Sequence, residues 1–387
     1  MSATVHPRVV LFALATGGFA IGTTEFATMS LLPAFAADLR IDAPTAGHVI
    51  SAYALGVVAG APVIAALAAK MARRTLLILL MAAFALTNAA SALAPSYGAL
   101  MVARFFCGMP HGAYFGVAAL VAADVAPEGR KAQAVGWVMT GLTVATIVGV
   151  PLANVLGQAF GWRWGFAVVA GLAVVTAVLL AGWTPYVPPH PEASAVRELR
   201  ALRNPQIWLT LGAGAIGFGG IFAVYTYLAS TLVGVTHVSE RWLPLVLVVF
   251  GLGMTIGNLG AAWLADRALL PTAAGLMVVT AGVLLSWPWA AGHVWSLMVM
   301  GFMVGVGGGL GTPLQTRLMQ VAGEAQTIAA ALHHSAFNCA NALGPWLAGL
   351  AIAGGYGLTS AGPVGAALSL GGLAVLGVSV WVAPRRV

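Results

Sequence analysis

Charged residues are scarce in this chain of 387 residues, in which Asp, Glu, Lys and Arg together make up only 7%. Water-soluble globular proteins carry about 25% charged residues. Because 60% of the residues here are hydrophobic, a water-soluble fold would have an apolar surface and would precipitate. The composition therefore excludes an ordinary soluble protein and favours a chain whose solvent is the lipid bilayer.

Cysteines and the motifs of soluble enzymes are also scarce. The two cysteines, Cys107 and Cys339, lie inside apolar runs and lack the close spacing of a disulfide framework or a zinc site. The sequence has no Gly-Lys-Ser/Thr phosphate loop, so ATP-driven chemistry is not supported. Gly305 and Gly307 match a dinucleotide fingerprint by letters only, inside an apolar run. We therefore predict neither a metal nor a cofactor.

Long apolar runs take the place of the missing charges. Each run is about 20 residues long or more, which lets a helix cross the hydrocarbon core of a bilayer. The runs are continuously apolar, whereas the strands of a membrane barrel alternate, so helices are predicted. Twelve spans, numbered 1 to 12, are predicted at residues 9–35, 46–69, 75–94, 98–122, 133–157, 164–184, 206–233, 243–264, 272–291, 295–315, 327–353 and 362–383.

Basic residues are distributed unevenly about these spans. Twelve spans place both termini on one side of the membrane, where thirteen Lys and Arg residues fall, against three on the other side. The excess of positive charge in short loops marks the cytoplasmic side, so we predict a multi-pass protein of the bacterial inner membrane with both termini in the cytoplasm. The net charge of +7 then faces anionic lipid, and no nucleic-acid partner is predicted.

A polar stretch separates spans 6 and 7. Prolines are followed there by Arg197, Arg200 and Arg203, which we interpret as a short basic helix on the membrane surface. The stretch divides the chain into a six-helix bundle at residues 1–184, a cytoplasmic linker at 185–205 and a second six-helix bundle at 206–387. Landmarks recur between the halves at an offset of 194–197 residues, for example Gly108 and Gly305, which indicates two repeats.

Short motifs in the first half carry a family resemblance. They are Gly22-Thr23-Thr24-Glu25-Phe26, Ile50-Ser51-Ala52-Tyr53-Ala54-Leu55-Gly56, Gly108-Met109-Pro110-His111-Gly112-Ala113-Tyr114-Phe115-Gly116, Gly149-Val150-Pro151 and Gly161-Trp162-Arg163. In these motifs the chain resembles the major facilitator superfamily, in its twelve-span drug:proton antiporter family. It is similar within that family to the arabinose/sugar-efflux and chloramphenicol-efflux permeases. The resemblance implies an all-α membrane protein of two pseudo-symmetric six-helix bundles, usually monomeric, which is a transporter and not an enzyme.

Two departures from the family pattern affect the residues that we expect to control conformational change. Ala69 stands where the loop after span 2 usually has Asp, and Val150 separates a glycine and a proline that are usually adjacent. The second half keeps an Asp-Arg pair at the corresponding loop. The predicted gating residues are Lys70, Arg73, Arg74, Gly149, Pro151, Asp266 and Arg267.

Two charged residues, Glu25 and Arg104, fall inside the predicted spans. An ionised residue at the bilayer centre costs a few kcal/mol, so such residues face the bundle interior and usually have a partner there. We predict that Glu25 loads and releases a proton beside Arg104, and that His111, on the same face as Arg104, is a second titrating group. The alternatives are a fixed Glu25–Arg104 pair that only holds helices together, and a neutral His111 bonded to a backbone carbonyl.

Polar and aromatic residues inside spans are the candidates for binding a substrate. His334, Asn338 and Asn341 follow each other at helical spacing on one face of span 11, which suits hydroxyl or amide groups on a ligand. Interhelical hydrogen bonding is the alternative for these three residues. The predicted substrate-binding residues are Thr24, Thr28, Tyr53, Tyr114, Phe222, Tyr225, His334, Phe337, Asn338 and Asn341.

The sequence thus predicts a proton-coupled secondary transporter that exports a small molecule, such as an amphenicol drug or a sugar, by alternating access. Its predicted partners are that substrate, protons and membrane lipid. One alternative is a passive facilitator or a proton symporter that imports a sugar. Another is a membrane-embedded enzyme, for which the sequence offers no complete set of catalytic groups.

Overall fold

The computed structural model of the protein describes residues 6–68, 71–127, 131–186, 203–322 and 326–382. Every regular element in these ranges is a helix. Lys70 and nearly all of the predicted linker, residues 187–202, lie outside the described residues.

The first six spans match the predicted apolar runs. Span 1 bends after Leu31 into a short helix, and span 5 contains a π-helical turn. The observed helices are Pro7–Ser30 and Leu32–Leu39 for span 1, Ala43–Ala68 for span 2, Arg73–Ala92 for span 3, Tyr97–Val125 for span 4, Lys131–Val144 and Val150–Phe160 for span 5, and Arg163–Trp183 for span 6.

The last six spans also match the predicted apolar runs. Spans 8 and 9 form one helical run that bends at Ala268, where φ is −152° and ψ is 77°. The observed helices are Pro205–Gly217 and Gly219–Gly234 for span 7, Leu243–Ala290 for spans 8 and 9, Val294–Gly307 and Gly311–Ala322 for span 10, Gln326–Ala351 for span 11, and Ala361–Val382 for span 12.

The prediction of twelve membrane-crossing helices is confirmed. Ten helical stretches among the described residues are long and apolar enough to cross a membrane. One of them bends at Ala268 and supplies two crossings, and the apolar helix Ala43–Ala68 supplies another. Twelve crossings put both ends of the chain on one side of the membrane. We call it the terminal side, and the other the opposite side.

Glycines allow the closest helix contacts, in both halves alike. A Cβ atom on Gly56 of span 2 would lie 1.9 Å from a carbonyl oxygen of span 4, and one on Gly108 of span 4 would lie 2.0 Å from a carbonyl oxygen of span 2. Gly253 and Gly305, each 197 residues further on, make the equivalent contacts between spans 8 and 10, at 2.1 and 2.4 Å. These two seams are places where only glycine lets the backbones approach.

The π-helical turn in span 5 follows from its proline. Pro151 has no N–H to donate, and the N–H of Val150 donates to the carbonyl of Ala145, five residues back. A Cβ on Gly149 would lie 2.1 Å from Oγ1 of Thr23 in span 1. The predicted gating residues Gly149 and Pro151 therefore form an irregular turn pressed against span 1.

Three further predicted gating residues, Arg73, Arg74 and Arg267, lie on the terminal side and make their contacts within their own half. Arg73 pairs with Asp124 at the end of span 4, and Arg74 donates to a carbonyl near the end of span 6. Arg267 lies over the ring of Trp263, with 3.7 Å between the guanidinium carbon and the ring centroid. Asp266 is exposed beside the bend between spans 8 and 9.

A polar clamp on the opposite side joins the ends of spans 1, 3 and 6. The Asp38 carboxylate accepts from the Arg163 guanidinium and from Nε1 of Trp162, the latter at 3.0 Å. Arg163 also donates to the carbonyl of Ala94, at 3.1 Å. The hydrogen bond from Arg163, followed by that from Trp162, lowers the pKa of Asp38 below its ordinary value.

Replacing Asp38 by Asn should therefore lower the melting temperature of the detergent-solubilised protein at neutral pH. Because folding depresses this pKa, the carboxylate contributes stability above its ordinary pKa of about 4 and loses that contribution as the pH falls below it. The melting-temperature difference between wild type and Asp38→Asn should shrink on acidification. Asp266→Asn is the control, and a difference that stays constant with pH would contradict the assignment.

Replacing Gly253 by Leu should destabilise the protein by roughly 1–3 kcal/mol or more, because the new side chain collides with the backbone of span 10. Gly260→Leu is the matched control in the same span, since a Cβ there meets nothing within 4 Å. Thermal unfolding in detergent measures both variants. Equal losses of stability would show that the Gly253 contact does not set the distance between these helices.

Candidate functional site

The buried carboxyl of Glu25 lies at one of the contacts between the two halves of the chain. Glu25 lies in span 1 and is 3% exposed. Nδ2 of Asn341, in span 11, donates a hydrogen bond to its Oε1 at 3.0 Å. The next residue, Phe26, packs edge-on against Tyr225 of span 7, with ring centroids 5.5 Å apart. Glu25 therefore belongs to the first half and forms a hydrogen bond with the second half.

Arg104 lies in span 4, buried and close to Glu25, and it reaches the residue before it. Its Nη1 donates to Oγ1 of Thr24 at 3.2 Å, and Thr24 donates in turn to Oδ1 of Asn88 in span 3, at 2.8 Å. The guanidinium carbon lies 4.3 Å from the centroid of the Tyr53 ring. Arg104 interacts electrostatically with Glu25, while the ion pairs found among the described residues are Arg73–Asp124 and Arg163–Asp38.

His111 extends this polar network toward the terminal side. Its Nδ1 and the hydroxyl of Tyr53 form a hydrogen bond of 2.9 Å. The His111 ring also packs against Phe115, which stacks on the His334 ring of span 11 with centroids 5.2 Å apart and planes 7° apart. Span 4 thus meets span 11 through an imidazole stacked on a phenyl ring.

The second half adds mainly aromatic walls to the site. Phe337 of span 11 packs edge-on against Phe222 and Phe218 of span 7, with centroids 4.9 and 5.0 Å apart. Asn338 is fully buried and donates to the carbonyl of His334 in its own helix, while its Oδ1 has no hydrogen-bond partner. Apolar walls with a few polar groups are typical of small-molecule sites.

Eight of the ten predicted substrate-binding residues lie in the contacts described above around Glu25, Arg104, His111 and Phe337. The other two, Tyr114 and Thr28, make different contacts. Tyr114 donates to the carbonyl of Leu14 at 2.8 Å and fills the space beside Gly17, so it packs between spans 1 and 4 inside the first half. Thr28 gives its hydroxyl hydrogen to the carbonyl of Thr24 in its own helix, at 2.6 Å.

Two residues of the site were not among the predicted ones. Asn88 accepts the hydrogen bond from Thr24, and Ser51 donates to the carbonyl of Ala342 at 2.9 Å, which ties span 2 to span 11. An amide inside the largely apolar span 3 was the available signal for Asn88, because such a group needs a partner. Ser51 had no comparable signal, since its partner is a backbone carbonyl.

Side-chain hydrogen bonds between the halves gather on the opposite side. In the part of the chain that the structure describes they number three: Asn341 to Glu25, Ser51 to Ala342, and Gln158 to the carbonyl of Glu240 at 2.9 Å. Each lies in the half of its helix, or in the loop, that points to the opposite side. The two halves are therefore closed against each other there.

Comparison with known proteins identifies the family. The profile of the Major Facilitator Superfamily matches residues 14–345. The chain is 40% identical over 370 residues to the inner membrane transport protein YdhP of Escherichia coli (strain K12), covering 95% of this chain and 94% of that protein. It is 32% identical over 376 residues to the chloramphenicol resistance protein of Streptomyces lividans, covering 95% and 94%.

A solved structure shares the fold. It is a bacterial homologue of the human lysosomal transporter Spinster, described as inward-facing and unoccupied. The TM-score is 0.69 at 18% sequence identity, and the match covers 99% of this chain and 96% of that one. The predicted family and the prediction of a transport protein rather than an enzyme are confirmed. The chain belongs to the major facilitator superfamily and is a multi-pass membrane transporter of small molecules.

Proposed function

We propose that the protein is a proton-coupled exporter that moves a small molecule out of the cell by alternating access. Glu25 is the proton carrier and Arg104 is its partner. The observation that carries the proposal is that Glu25, a buried acid in a membrane bundle, is bonded across the contact between the two halves. An acid in that place can change the fit between the halves when it gains or loses a proton.

In the proposed cycle, Glu25 takes up a proton when the site faces the periplasm and releases it when the site faces the cytoplasm. Substrate binds to the ionised site, so that proton and substrate favour opposite states, as coupling requires. Each proton that enters the cell down the membrane potential releases about 2.3 kcal/mol of free energy per 100 mV. Arg104 stays protonated throughout, so it supplies a fixed positive charge and does not carry the proton.

The proposed substrate is a neutral or cationic molecule with both polar and apolar surface, such as an amphenicol or a sugar. The site offers the amides of Asn338 and Asn341 and the imidazole of His334 beside the aromatic walls of Phe222 and Phe337. The resemblance to a chloramphenicol resistance protein favours testing an amphenicol first.

The proposed setting is the bacterial inner membrane, with the terminal side in the cytoplasm and the protein acting as a monomer of two six-helix bundles. The excess of Lys and Arg on the terminal side supports this orientation. In this orientation the described arrangement is closed toward the periplasm. The predicted gating residues Arg73, Arg74 and Arg267 then lie at the cytoplasmic ends of their spans.

Replacing Glu25 by Gln should abolish proton flux driven by substrate, because the amide cannot exchange a proton. The protein is reconstituted in liposomes that contain a pH-sensitive dye, and chloramphenicol or arabinose is added in turn. Wild type should show proton movement with one of them, and Glu25→Gln should show none. Glu240→Gln is the matched control, since that side chain is exposed and its residue bonds to the other half through its backbone carbonyl.

Normal proton-coupled accumulation of substrate by Glu25→Gln would contradict the proposal. Movement of substrate without proton flux in wild type would replace the exporter by a passive facilitator, and Glu25 would then only hold helices together.

A further inference from the structure

Only one of the two polar atoms of the Asn341 side-chain amide has a hydrogen-bond partner. Asn341 is fully buried, and its Nδ2 donates to Oε1 of Glu25 at 3.0 Å. Its Oδ1 has no hydrogen-bond partner. A buried acceptor without a donor is unfavourable. The carboxyl of Glu25 already accepts from Nδ2 of the same amide group.

The protonation state of Glu25 determines whether this carbonyl oxygen finds a donor. An ionised carboxylate only accepts hydrogen bonds, so it can pair with Nδ2 and leaves Oδ1 unsatisfied. A protonated carboxyl has one O–H donor and one accepting oxygen. It can form a ring of two hydrogen bonds with an amide, in which Nδ2–H donates to the carboxyl and the carboxyl O–H donates to Oδ1.

We propose that Asn341 couples the protonation of Glu25 to the contact between the two halves by gaining this second hydrogen bond when Glu25 is protonated. The inference rests on the proposed function, in which Glu25 is the proton carrier, and it assigns Asn341 a coupling role in addition to lining the site. The proton stays on Glu25 in this step, and no covalent bond forms or breaks.

The location of Asn341 turns this hydrogen bond into a control of closure. The carbonyl of the next residue, Ala342, accepts from Ser51 of span 2, so one turn of span 11 is docked on spans 1 and 2 together. Protonation of Glu25 adds a bond to this docked turn and favours closure on the opposite side. Ionisation removes that bond, leaves Oδ1 without a donor and favours opening.

Other titratable groups near Glu25 could also produce a response to pH, and their ordinary pKa values distinguish most of them from Glu25. Among the described residues, Arg104 of span 4 and Tyr53 of span 2 interact electrostatically with Glu25. The titratable groups of the neighbouring contacts are Cys107 beside Arg104, His111 beside Tyr53, Tyr225 beside Phe26 and His334 beside Phe115. Arginine stays charged, and tyrosine and cysteine stay protonated up to about pH 8. Imidazole is the side chain whose ordinary pKa falls between pH 5 and 8, so the histidines are distinguished from Glu25 by a variant that keeps them and lacks the acid.

The test measures the separation of the halves on the opposite side. Spin labels are placed at Leu93→Cys and Tyr356→Cys, whose native side chains are 80% and 78% exposed, in a background with Cys339→Ala. Distances between the labels are measured by pulsed electron resonance at about pH 5 and about pH 8. In wild type the ratio of closed to open protein should rise about tenfold on acidification, the expected effect of one additional buried hydrogen bond.

Asn341→Leu should reduce this pH response to less than about twofold, because neither hydrogen bond can form. Ser369→Ala is the control in the same half. The Ser369 hydroxyl is also fully buried and without a hydrogen-bond partner, but it lies in span 12, so the pH response should remain. Glu25→Gln should stay closed at both pH values, since its amide mimics the protonated acid.

Asn341→Asp keeps the proposal testable if the leucine variant fails to fold. Two facing carboxyls share a proton at low pH and repel each other at high pH, so the response should exceed that of wild type. A wild-type response to pH that persists in Asn341→Leu or in Glu25→Gln would overturn the role of Asn341, as would an absence of any response in wild type. Failure of the proposed function shows separately, as substrate transport without proton flux in liposomes.

Discussion

The carboxyl group of Glu25 and the guanidinium group of Arg104 are buried inside a helix bundle that lies in lipid. Protein groups packed around them offset the free energy lost when these groups leave water. An ionised side chain at the centre of a bilayer costs several kcal/mol unless protein groups replace its water. Arg104 is 1% exposed and is surrounded by Thr24, the ring of Tyr53 and the ring of Phe166. Spans 1, 2, 4 and 6 must meet around this one side chain.

The two halves share their backbone packing but not their polar chemistry. The glycine seam between spans 2 and 4 recurs between spans 8 and 10, with Gly56 and Gly108 answered by Gly253 and Gly305. The same offset of 197 residues places Gly301 opposite Arg104. One half therefore holds the charges, and the other half reaches them with a neutral amide. A neutral partner can respond to the protonation of Glu25 without bringing another charge into the membrane.

Much of the polar cluster around Glu25 was predictable from the sequence, because an acid, an arginine and a row of amides inside apolar runs need buried partners. The failures have a common cause. Helical spacing shows which residues share a face, but it does not show which neighbour that face meets. Tyr114 therefore looked like a lining residue and instead bonds to Leu14, whereas Asn88 was left aside although it accepts from Thr24. The relative depth of two helices also cannot be read from spacing, and Arg104 bonds to Thr24 rather than directly to Glu25.

The sequence by itself determined the solvent of this protein, the number of its crossings and the residues that needed partners, since hydrophobic length and the cost of buried charge act on local stretches of chain. Only the tertiary structure decided which partners they found. The hydrogen bond between Glu25 and Asn341 joins residues 316 positions apart, and it depends on how two six-helix groups close against each other. Such a contact arises from the fit of whole helix faces, which no local pattern contains.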